Sequence, residues 1–150
     1  MKSVLPLMLS LLVASCQSVP APGETRPDSP AGNSSLYTAL GRRSGIEQVV
    51  EDLLYIIVDD ERIAFQFRGL NVERFHSNLS DQLCELSGGP CSYTGMSMEE
   101  SHEAMDISQT QFNALVEGLI LAMEKNHIPP AIQNRLLARL IPLHPEIVGS

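Results

Sequence analysis

From Ile46 to Leu140 the apolar residues recur at steps of three and four, and no window alternates convincingly like a strand. That spacing is the helical repeat, so the chain is confined to an all-α fold. Ile46, Val49, Val50, Leu53, Leu54 and Ile57 form the first set, opened by Ser44-x-x-Glu47 at capping-box spacing and closed near Asp59-Asp60. A second helix is predicted from about Asn71, with Phe75, Leu79, Leu83 and Leu86 on one face until Gly88-Gly89-Pro90 stops it. Ser108-x-x-Gln111 opens a third, carrying Phe112, Leu115, Leu119, Ile120 and Met123 and ending at Asn126. The fourth starts at Pro130 or just after it, runs through Ile132, Leu136, Leu137 and Leu140, and is broken by Pro142. Between the second and third lies a long irregular segment, Gly88 to Ile107.

A chain of 150 residues fits one folded domain, and 43% hydrophobic residues without Trp allow a core of Leu, Ile, Val and Met. With 18 acids against 10 bases and no Lys/Arg block, nothing is available to neutralise phosphates, which excludes nucleic acid as a partner.

The first fifteen residues read as an export signal. Met1-Lys2 supplies the positive start, and Val4 to Ala14 is an apolar run too short to span a bilayer as a mature helix. Leu12-Val13-Ala14-Ser15-Cys16 resembles a bacterial lipobox, in which the Cys16 thiol takes a diacylglycerol after cleavage. An ordinary signal peptide with an incidental Cys16 is the alternative. Gln17, in place of the Asp that retains lipoproteins at the inner membrane, favours the outer membrane and the periplasmic side of the envelope. Two kinds of acyl linkage would make the anchor firm. Residues 16–35, with Pro20, Pro22, Pro27 and Pro30 among Ser and Gly, read as an extended tether to a folded domain over residues 36–150.

An irregular connection of this length inside a small domain is usually functional, and this one contains His102. A long loop covers a helical core poorly, so a bulky apolar cofactor would complete it. Haem suits such a place, needing apolar walls on both faces, an imidazole for the iron and polar groups at its edge. Composition alone does not choose between haem and a lipid.

The order of several short pieces is more specific. Ser35-Leu36-Tyr37-x-x-Leu40-Gly41, Gly45-Ile46-Glu47-x-Val49-Val50-Glu51-Asp52, Phe65-x-Phe67-x-Gly69-x-Asn71, Gly88-Gly89-Pro90-x-x-Tyr93-Thr94-Gly95, Met98-x-x-x-His102 and Ile107-x-x-x-x-Phe112 together resemble a group 1 truncated hemoglobin. The likeness covers about Ser35 to Val148 and implies a truncated globin fold, in which short helices sandwich haem b (iron protoporphyrin IX). Gly88-Gly89 matches one of the family's two Gly pairs, whereas the other reads Gly41-Arg42 here.

The resemblance places His102 at the proximal iron ligand, with its second ring nitrogen needing an acceptor. It implies that Phe67 stacks on the haem, that Asn71, Arg74 and Tyr93 reach the propionates, and that Met98 lines the site. Arg74 is the best placed of the three by charge, a solvated surface charge being the alternative. On the distal side many members carry Phe-Tyr where this chain has Leu53-Leu54, with Tyr55 one residue later. One residue turns a helical side chain by about 100°. In the matched register Leu54, Phe75 and Leu79 therefore wall the ligand side, leaving no hydroxyl or amide at those positions. The alternative is a π-bulge that brings Tyr55 inward.

The remaining histidines read as structural: His76 beside Phe75 as a surface residue, His127 at a helix end and His144 in the C-terminal tail. No C-x-x-C or H-x-x-x-H spacing supports zinc, and no C-x-x-C-H supports a c-type haem. With Cys16 acylated and the domain exported, Cys84 and Cys91 are an even pair, read either as a disulfide or as two free buried thiols.

The expected function is haem-based binding of O2, NO or CO at the cell envelope, for oxygen binding, gas sensing or NO detoxification. NO dioxygenase turnover would require a reductase, which the sequence does not name. The competing reading is a structural or adaptor lipoprotein with globin-like helices and no haem.

Overall fold

The computed structural model describes residues 35–149. The signal peptide, Cys16 and all of the tether except Ser35 lie outside the described residues. Ser35 is in fact the cap of the first element, its hydroxyl accepting from Thr38 N at 3.2 Å. The elements are α1 (Leu36–Ala39), α2 (Arg42–Asp59), a 3-10 turn (Ala64–Phe67), α3 (Val72–Leu86), α4 (Met98–His102), α5 (Gln109–Lys125), α6 (Pro130–Leu140) and a C-terminal 3-10 segment (Ile141–Glu146). Among the described residues the only β pairing is an isolated bridge between Ile107 and Val148. The fold is all-α, as the apolar period requires.

Two local expectations change. Ser44-x-x-Glu47 is not a capping box, because α2 begins earlier, on Gly41 at φ 83°. Glycine adopts that left-handed turn without a Cβ clash, and in the first turn of α2 the Tyr37 hydroxyl accepts from Arg43 N at 3.1 Å. Glu47 is instead paired with Arg43, one turn before it, at 2.6 Å. The second change lies in the irregular segment, which contains the short helix α4, opened by a complete Ser97/Glu100 capping box. The other boundaries follow their signals: Asn71 caps α3 by accepting from Arg74 N, Ser108 and Gln111 cap α5 reciprocally, and Pro130 starts α6.

Helix α2 is central, packed on α5 along one side and α3 along another. Val50, Leu53, Ile57, Leu83, Ala122, Met123 and Leu136 are essentially sealed from water. Each large apolar side chain so buried contributes about 1.5–3 kcal/mol. The same interface holds a buried charge: the Asp52 carboxylate accepts from Lys125 Nζ at 2.6 Å and from Asn126 Nδ2 at 2.7 Å. Chiefly through the Lys125 bond, Asp52 is held below the usual carboxylate range. Among the described residues no helix is long and apolar enough to cross a membrane.

Candidate haem site

A cavity of about 530 Å³ opens between α3, α4 and α5, with the C-terminal segment closing one end. That volume lies within the range of small-molecule and cofactor sites, about 300–1,000 Å³. One wall is the face of α3 that carries Asn71, Arg74, Phe75, Asn78, Leu79 and Gln82 at helical spacing. Opposite stand Leu115, Val116 and Leu119 of α5, while Leu140, Leu143 and Ile147 come from the chain end.

Of the residues singled out from the sequence, Phe67, Asn71, Arg74, Phe75, Leu79, Tyr93, Met98 and His102 all line this cavity. Phe67 and Phe75 meet edge to face, with centroids 5.5 Å apart, and so brace the 3-10 turn against α3. Asn71 divides its duties, since its Oδ1 caps α3. The Tyr93 hydroxyl donates to the Met96 carbonyl at 2.7 Å, and burial pushes the phenol's pKa up. Its proton is therefore engaged inside the loop that leads into α4.

Leu54 is the correction. It does not line the cavity; Leu53 does. Leu53 packs against α5, where Gly118 allows such close approach that an added Cβ would meet Leu53 Cδ1 at 3.2 Å. With that contact fixing the rotation of α2, Leu54 faces other core residues and Tyr55, at 64% exposure, points to solvent. Helix α2 runs unbroken without a π-bulge, so nothing draws Tyr55 inward.

Two amides that the apolar pattern does not mark also line the cavity. Asn78 and Gln82 share the α3 face with Phe75 and Leu79, and Gln82 Nε2 lies 3.2 Å from Met98 Sδ. Extending the three- and four-residue steps through the polar positions of α3 would have found both. Leu143 and Ile147 were hidden because a 3-10 segment has no α-helical period.

His102 carries the most chemistry. Its Nδ1 is 2.8 Å from the Met98 carbonyl, one helical turn earlier, and 3.0 Å from Ser101 Oγ. A carbonyl has no proton to give, so Nδ1 carries the hydrogen and the acceptor lone pair is on Nε2. That is the tautomer a metal-binding imidazole needs. His76 is placed otherwise, its Nε2 3.1 Å from the Glu47 carbonyl of α2 and away from the cavity lining. His144 Nε2 lies 2.8 Å from Gln109 Oε1, and its ring meets Phe112 edge-on. Among the described residues no group of three or more His, Cys, Asp or Glu could hold a metal ion.

The approach to α4 is fastened to α3. Cys84 and Cys91 are joined by a disulfide with Cα atoms 5.8 Å apart. Arg43 of α2 bonds Asp81 and Glu47, and its Nη1 is 3.6 Å from Cys91 Sγ. These charge-assisted bonds raise the Arg43 pKa.

Helices around a cavity with a histidine on a short helix beneath it define a truncated globin. The bacterial-like globin family matches residues 35–148, and the chain belongs to that family. It is 28% identical over 114 residues to a group 1 truncated hemoglobin of Mycolicibacterium paratuberculosis, covering 76% of this chain and 84% of that protein. A group 1 truncated hemoglobin of Nostoc commune is 31% identical over 57% of this chain and 73% of its own length. The truncated hemoglobin of Tetrahymena pyriformis in its Fe(III) form superposes with a TM-score of 0.75 at 23% identity, over 78% of this chain and all of that one.

Proposed function

We propose that the cavity holds haem b, whose iron His102 would hold, and that the protein binds O2, NO or CO. The observation that carries this reading is the 2.8 Å contact of His102 Nδ1 with the Met98 carbonyl, which leaves Nε2 as the acceptor, at the wall of an apolar cavity of cofactor size. Membership of the globin family supports it. The bound haem iron would supply the coordination position for a diatomic gas. Phe75, Leu79 and Leu53 exclude water from the cavity, and Phe67 adds an aromatic wall. Arg74 offers a cation to the carboxylates at the haem edge. Leu53, Phe75 and Leu79 carry no hydrogen-bond donor, so the donors beside them on the α3 face of the cavity include the amides of Asn78 and Gln82.

Reconstitution with hemin is the test. A Soret band that persists in His76→Ala and is lost or strongly weakened in His102→Ala is expected. A chain that folds but gives no Soret band would instead be an adaptor with globin-like helices.

We further propose that the protein is a lipoprotein on the periplasmic side of the envelope, anchored at the outer membrane through Cys16. The lipobox and the Pro-rich segment after it support this reading. Cys16→Ser should leave the haem spectrum intact and move the protein out of the membrane fraction; equal membrane recovery would count against the anchor.

A further inference from the structure

Three atoms beneath the cavity form a closed triangle: His102 Nδ1, the Met98 carbonyl and Ser101 Oγ. The sides are 2.8 Å from Nδ1 to the carbonyl, 3.0 Å from Nδ1 to Oγ, and 3.1 Å from Oγ to the carbonyl. Nδ1 holds the ring proton, because the carbonyl can only accept. Ser101 Oγ therefore faces an N–H and accepts from it, while its own proton is directed to the Met98 carbonyl. A hydroxyl that donates becomes a better acceptor, so the two roles reinforce each other.

On the haem reading above, we infer that Ser101 is a positioning residue that tunes His102 as an iron ligand. Its oxygen is a second acceptor for Nδ1–H. That acceptor fixes the ring plane and shifts electron density toward Nε2, the atom that would hold the iron. The carbonyl alone would fix the tautomer but leave the ring freer to turn. Ser101 also lines the cavity, so its effect on the imidazole is exerted inside the site.

The test uses hemin-reconstituted protein and compares wild type with Ser101→Ala, Ser101→Cys and Ser101→Thr. In the ferrous unliganded form, Ser101→Ala should lower the iron–histidine stretching frequency in resonance Raman spectra and move the ferric/ferrous midpoint potential to more positive values. Haem transfer to excess apomyoglobin should be about tenfold faster, the low end of what loss of an outer-shell partner costs. Ser101→Cys, of similar shape but with a weakly accepting sulfur, should follow Ser101→Ala, and Ser101→Thr should restore all three readouts. If Ser101→Ala fails to fold, Ser101→Cys carries the comparison. A wild-type iron–histidine band unchanged in the Ala and Cys variants overturns the inference and leaves the haem reading standing. A wild-type protein that takes up no hemin, or that shows no iron–histidine band, overturns the haem reading and the inference with it.

Discussion

Reducing the Cys84–Cys91 bond perturbs the domain without changing a residue, and its effect can be worked from the structure. The bridged cysteines are seven residues apart, so the bond closes a short loop between the end of α3 and the strap leading to α4. In the chain-entropy account a loop of that size lowers the unfolded state's entropy enough to stabilise the fold by about 2.4 kcal/mol. With a urea dependence of about 1–2 kcal/mol per molar, reduction should lower the unfolding midpoint by about 1–2 M. Cys84 has no exposure and stays packed after reduction, so little of the effect comes from hydration of the native state. The assay is urea unfolding followed by far-UV circular dichroism, with and without a phosphine reductant. Cys91→Ala serves as the control that no longer responds. The strap also holds Tyr93 and the Ser97 cap of α4, so reduced protein should release haem faster than oxidised protein. Equal midpoints in the two redox forms would refute the reasoning, because the bond would then constrain nothing the folded core does not already constrain.

The buried Asp52 clasp should make stability depend on acid. Because its folded pKa is lowered, the stabilisation is present above the unfolded carboxylate value near ~3.9 and is lost as pH falls through the lower folded value. Asp52→Asn should cost about 1–2 kcal/mol at pH 7 and progressively less as the pH falls below the unfolded carboxylate value, read by thermal unfolding; a penalty of constant size would assign the effect to packing instead. Ala104 sits at φ 63°, where an L-residue is strained, so Ala104→Gly should raise stability by about 0.5–1 kcal/mol in a urea titration; destabilisation would mean that the strain is not relieved. Because Leu54 lies outside the cavity, Leu54→Tyr should leave the O2 and CO release rates of reconstituted protein unchanged; clearly slower O2 release in stopped flow would put position 54 inside.

The sequence by itself determined the helices that need no partner to be recognised. The apolar steps in α2, α3, α5 and α6 follow from the 3.6-residue turn, and Asn71, Ser108 and Pro130 mark starts through hydrogen bonds or ring geometry confined to one turn. Part of the cavity was legible for the same reason: on α3, Asn71, Arg74, Phe75 and Leu79 fall on one face, and His102 with Met98 spans one turn of α4. Even the Ser97/Glu100 box was readable, though the glycines and short length around it hid the helix. What only the tertiary structure decided was rotation and closure. Whether Leu53 or Leu54 faces the cavity depends on α5, because Gly118 admits Leu53 and so fixes α2 about its axis, and no local signal encodes a neighbour's missing side chain. The C-terminal wall of Leu143 and Ile147 likewise exists because Gly149 N donates to the Ile107 carbonyl, joining residues far apart in sequence. The proton on His102 Nδ1 belongs to both levels: the spacing supplies Met98, but the folded distances decide which nitrogen keeps its lone pair.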